Sequence, residues 1–269
     1  MSSDRSRTAY ADSAADLARR ALDALRGAGG AAMVAAHVEG AEDGAAALAA
    51  VRVVGADTFA PHLLTGVALH PLDAEAVARS FSVFPPPQSV PQSPPAGPAE
   101  PWVMAWRDWA TASMLARFAA EGEAARAPSP YAAQPTEAPL LAARAGISAP
   151  IRPAEAPSPD TTRDLGWAEW SVRMGQLSSL ALPGLDGPVH TAARGAPLAL
   201  ARGATRSLLR RDYPTAARIA RWLALLQHEG VALPLDPVPL VAHLRVLGNG
   251  PRLALDTAIA GKLLGLEHP

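Results

Sequence analysis

Seven arginines, Arg194, Arg202, Arg206, Arg210, Arg211, Arg218 and Arg221, fall within 28 residues, opposed there by the single carboxylate of Asp212. A guanidinium presents a planar fork of donors that matches carboxylate and phosphate oxygens. Arg202, Arg206 and Arg210 follow i, i+4, i+8 spacing, which on a helix makes a stripe about 80° wide. Leu200, Ala204 and Leu208 then fall on the opposite face. Arg202, Arg206, Arg210, Arg218 and Arg221 are therefore the expected anion or partner surface. Its candidate ligands are an acidic partner, a phosphate group or nucleic acid. Nucleic acid is the weaker reading, because no aromatic residue interleaves the stripe and the whole chain carries a net charge of −1.

The second feature is tryptophan. Trp102, Trp106 and Trp109 recur at i, i+4 and i+7, and Trp167, Trp170 and Arg173 at i, i+3 and i+6. Each set shares one helical face. Such stripes either pack helices together or wall an aromatic pocket or partner groove. In the latter case Arg173, Asp164 or His190 would supply polarity, and the chain would be an enzyme or small-molecule binder.

Other chemistry is thin. The seven histidines occur in no metal-ligand spacing, and there is no cysteine. No G-x-S-x-G is present, and Gly27, Gly29 and Gly30 follow a helical segment, so they mark its end rather than a phosphate loop. No catalytic residue, metal or cofactor is assigned from the sequence.

The elements that must position these residues read as helices. Hydrophobic residues make up 49% of the chain and aromatics 5%, with alanine abundant. Alanine favours helix and is depleted in strands. The expectation is an all-α fold, an irregular array of helical hairpins around a long proline-rich centre. Residues 1–84 form an N-terminal short-helix region and 85–100 a proline-rich linker. The Trp-bearing helix occupies 101–126, a second proline-rich linker 127–160, and a C-terminal helical domain 161–269. Sixteen of the 27 prolines lie in 85–160, where helix interiors and central strands are excluded by the missing N–H.

Expected helices cover 12–27, 31–38, 43–54, 59–69 and 74–83, the last capped by Asp73. In the C-terminal part they cover 166–182, 198–210, 212–230, 236–247 and 251–264, with Asp164, Asp212 and Asp236 as starts. A rival reading makes 32–38 and 51–54 strands of a small α/β unit. The turns Arg211-Asp212-Tyr213-Pro214 and Gly248-Asn249-Gly250-Pro251 resemble those of stacked tetratricopeptide-type hairpins, over less than a third of the chain and without that family's full pattern.

Charge is uneven. Residues 1–84 hold ten acidic and seven basic side chains, 85–160 seven and five, and 161–269 eight and twelve. Apolar runs are broken by charge or proline, so no membrane span and a cytoplasmic location are expected. The functional expectation is a helical interaction or accessory protein that binds another macromolecule, most directly a protein, through helical and Arg-rich surfaces. The alternatives are an enzyme or small-molecule binder with a Trp-lined pocket, and a nucleic-acid-associated regulator.

Overall fold

The computed structural model describes residues 2–86, 91, 97–125 and 161–266, and the side chains of 8–86, 91, 97–118 and 166–266. The expected proline-rich stretches at 87–90, 92–96 and 127–160 lie outside the described residues, as does the side chain of Asp164.

Among the described residues every regular element is helical. In chain order they are α1 (Ser2–Leu25), α2 (Met33–Glu39), α3 (Gly44–Val54), a 3-10 turn (Gly55–Phe59), α4 (Ala60–Thr65), α5 (Pro71–Val83) and α6 (Ala99–Ala125). After the central segment come α7 (Thr161–Gln176), a 3-10 turn (Ser178–Leu180), α8 (Pro188–Gly195), α9 (Pro197–Leu209), α10 (Tyr213–His228), α11 (Pro237–Leu247) and α12 (Pro251–Leu263). The strands considered at 32–38 and 51–54 are not formed: 33–38 belong to α2 and 51–54 to α3, alanine-rich helices each followed by glycine, α3 being capped by Asp43.

Caps place the boundaries. Asp43, Asp212 and Asp236 accept hydrogen bonds from the first turns of α3, α10 and α11. Gly230, with φ 81°, closes α10, and Val231 N returns to Leu226 O at 2.9 Å. Several details differ from the sequence expectation: the helix expected over 59–69 ends at Thr65 and that over 166–182 ends at Gln176. The helix at 188–195 forms because Pro188 occupies its first position, where a missing N–H costs nothing. Asp73 does not cap its own helix, which starts at Pro71. Its carboxylate reaches across to accept from Ala35 N at 2.8 Å, at the start of α2.

One contiguous core runs from Leu17 in α1 to Leu263 in α12. Its axis is α10, buried on every side from Ile219 to Leu226. α7, α9, α11 and α12 pack around α10, while α1 joins α12 to α3. Trp222 Nε1 donates to Met174 O at 2.7 Å, fixing α10 against the end of α7. Gly44–Thr65 is the one helical stretch among the described residues long and apolar enough to cross a bilayer, but 78% of its apolar window is buried inside the protein.

Small residues set the helix spacing. A Cβ on Gly203 in α9 would lie 2.2 Å from Ser171 Oγ in α7 and 3.4 Å from Ile219. These helices are as close as glycine permits. Gly203→Ala should therefore destabilise the protein by about 1–3 kcal/mol through overpacking, read as a lowered urea midpoint. An unchanged midpoint would show that α7 and α9 separate freely.

Candidate functional site

The cation-rich C-terminal helices meet the acidic N-terminal region inside the molecule. Arg221 of α10 is 0% exposed, as is Asp57 in the first 3-10 turn, and Asp256 of α12 is 1% exposed. Arg221 Nη2 donates to Asp57 Oδ1 at 2.6 Å and Nη1 to Asp57 Oδ2 at 3.0 Å, a two-pronged contact. The same Nη1 donates to Asp256 Oδ1 at 2.8 Å. Arg252, one turn before Asp256 and partly exposed, donates to both carboxylates. Burial alone would raise the pKa of Asp57, but Arg221 and Arg252 outweigh it and hold Asp57 below the usual carboxylate range. A second buried pair, Arg52 and Asp108, ties α3 to α6, with Arg52 Nε 2.9 Å from Asp108 Oδ1.

This network borders a cavity of about 370 Å³ lined by Arg107, Arg218, Arg252 and Asp256, with Val54 and the start of α12 beside them. Arg107 Nη2 donates to Gln176 O at 2.9 Å, but its buried Nε has no partner among the described residues. Burial, with Arg252 and Arg218 close by, lowers the Arg107 pKa to about 10. Arg218 makes no ion pair among the described residues.

A second, open groove of about 620 Å³ lies between α7, α9 and the loop before α11. Trp167, Leu198, Leu209 and Leu235 give it an apolar floor, and Arg202, Arg206 and Arg210 line it as well. Leu198 is 49% and Leu209 79% exposed. Arg206 lies over the Trp167 ring at 6.0 Å. None of these three arginines pairs with a carboxylate among the described residues.

The structure thus divides the sequence-derived candidates. Arg202, Arg206 and Arg210 share the groove with Trp167, a proximity between two separate stripes that spacing alone did not indicate. Arg218 lines the other cavity. Arg221 is in the core rather than on that surface, because α10 is enclosed on all sides and remote carboxylates neutralise it. Trp102, Trp106, Trp109 and Trp170 are buried in the core, with Trp106 and Trp109 edge-to-face at 5.5 Å. Arg173 is occupied by Glu169 and Gln176 on its own helix. Asp57, Arg107, Arg252 and Asp256 were not singled out from the sequence. The available signal was the burial cost of Asp57 and Asp256, each set in an apolar helical run.

One further constellation has the order of a nucleophile, base and orienting acid. Ser13 Oγ lies 3.1 Å from His37 Nε2, and His37 Nδ1 lies 3.1 Å from Asp16 Oδ2. Asp16 is also bound to Arg19 and Arg20. Ser13 is in the middle of α1, where neighbouring backbone N–H groups serve the helix and leave no oxyanion hole. The contact pins α1 to α2. Among the described residues no group of three His, Asp or Glu side chains is placed to hold a metal ion.

Neither family models nor comparisons with known sequences and solved structures yield a match for this chain.

Two outcomes follow from these buried charges. Arg221→Met leaves Asp57 and Asp256 short of their main partner and should cost about 3–5 kcal/mol, seen as a large drop in the urea midpoint. Burial lowers the pKa of His37, His62 and His190 below 6.5. The unfolded chain then binds more protons, so their contribution is complete above about pH 6.5 and is lost as the pH falls. The melting temperature of His190→Gln should fall less steeply than that of the parent between pH 7 and 5. Parallel profiles would show that His190 does not titrate on unfolding.

Proposed function

We propose that this chain is a helical interaction protein whose groove between α7 and α9 binds an acidic, amphipathic segment of a partner protein. The observation that carries the reading is the combination within that groove. Three arginines without carboxylate partners among the described residues flank an apolar floor that keeps Leu198 and Leu209 in water. An isolated apolar patch would suit many occupants, and an isolated basic stripe would suit any polyanion. Together they select a ligand with carboxylates along one edge and aliphatic side chains along the other. Single-stranded nucleic acid fits less well, since Trp167 is the one aromatic ring lining the groove among the described residues.

The affinity should concentrate where water is excluded, at Trp167 and Leu209, with the arginines setting orientation and association rate. The test is fluorescence anisotropy with a short labelled peptide carrying Leu and Glu on adjacent helical faces, beside a scrambled peptide of equal charge and a labelled single-stranded oligonucleotide. The patterned peptide should bind best, and Arg206→Glu and Leu209→Ala should each weaken it about tenfold or more. Equal binding of the scrambled peptide, or preference for the oligonucleotide, would overturn the proposal.

A further inference from the structure

The cavity where α1, α6, α10 and α12 meet is distinct from the groove on α9 and has a different chemistry. Among the described residues Arg107, Arg218, Arg252 and Asp256 line it, and Arg221 and Asp57 lie behind them in the same buried network. The local sum is four positive charges less two negative, or +2. Both carboxylates are hydrogen-bonded by Arg221 and Arg252, and among the described residues neither Arg107 nor Arg218 forms an ion pair. The Arg107 Nε is buried without an acceptor among those residues. Like charges held in a partly desolvated site repel, and an anion in the cavity removes that cost.

The backbone adds donors of the same sign. α12 begins at Gly250, φ 98°, with Pro251 in its first position and no side-chain cap. The N–H groups of Arg252 and Leu253 in its first turn have no intrahelical acceptor. A Cβ at Gly250 would meet nothing within 4 Å, so the approach to this helix end is open. A helix N-terminus facing a ring of arginines favours a tetrahedral oxyanion.

We propose that this cavity is a binding site for a small phosphate monoester, its phosphoryl oxygens held by Arg107, Arg218 and Arg252 at the start of α12. A monoester is close to a dianion at neutral pH, because its second proton leaves near pH 6, and this matches the +2 of the site. A volume of about 370 Å³ exceeds what a bare phosphate needs and lies within the usual range for small-ligand sites. The remaining space is bounded by Val53, Val54 and Leu253, which accommodate a compact organic part.

The test is isothermal titration calorimetry in a phosphate-free, low-salt buffer, with inorganic phosphate, ribose 5-phosphate and uncharged ribose as probes. Ribose 5-phosphate should bind at one site and more tightly than inorganic phosphate, and ribose should give no heat. Arg218→Gln should weaken ribose 5-phosphate at least tenfold while the ligand-free variant melts no lower than the parent, because a repelling charge has been removed. Arg206→Gln, in the other groove, should leave this binding unchanged. The proposal is overturned by an absence of heat and of any melting shift up to about 10 mM of either phosphate. It is equally overturned if Arg218→Gln binds as the parent does, or if Arg206→Gln loses binding to the same extent. Inorganic phosphate binding as tightly as the ester would overturn the monoester assignment.

Discussion

The contact between Arg221 and Asp57 joins residues 164 positions apart in a region with no exposure to water. Removing two charges from water costs several kcal/mol per ion unless geometry and hydrogen bonding replace the lost solvation. For Asp57 the replacement is nearly complete, since it receives both prongs of Arg221 and a further donor from Arg252, whereas the buried Nε of Arg221 has no partner among the described residues. Such a network tolerates little displacement. The 3-10 turn, α10 and α12 must keep their relative positions, and the N-terminal helices are thereby held on the C-terminal ones. The modest charge asymmetry along the chain is thus partly cancelled inside the fold.

The same constraint shapes both recessed regions. Around α10, neutralisation stops short of completeness: the carboxylates pair with Arg221 and Arg252, while Arg107 and Arg218 line the cavity without an ion pair among the described residues. On α9 the opposite circumstance holds. Leu200, Ala201 and Ala204 are consumed by packing, and the arginines are left on the outward side next to Leu198 and Leu209. One region is a small, partly open cavity with concentrated charge, and the other is a broad groove of mixed character. They suit ligands of different size.

The helical class was legible because alanine, leucine, capping aspartates and terminal glycines all pointed one way. Boundaries of α3, α10 and α11 followed from Asp43, Asp212 and Asp236. α1 extends further back than its apolar periodicity implied, starting at Ser2 where a helix from residue 12 was expected. The groove was half legible. Spacing identified the Arg202, Arg206 and Arg210 stripe and separately the Trp167 and Trp170 stripe, but only the packing of α7 on α9 brings Trp167 to the arginines. The cavity was least legible, because its residues come from α6, α10 and α12 and local periodicity carries no information on such distant pairs. Arg221 illustrates the difficulty: on a helical wheel it borders the surface, yet from Ile219 to Leu226 its helix is buried all round.

The carboxylate of Asp73 bound to Ala35 N has a consequence for the timing of local opening. α2 has seven residues, too few to persist as an isolated helix. Its first turn has no side-chain cap of its own and relies on an acceptor from α5. These two segments should therefore melt and reform as one cooperative unit, and the amides of 33–39 should inherit the exchange lifetime of α5 rather than the short one expected of two helical turns.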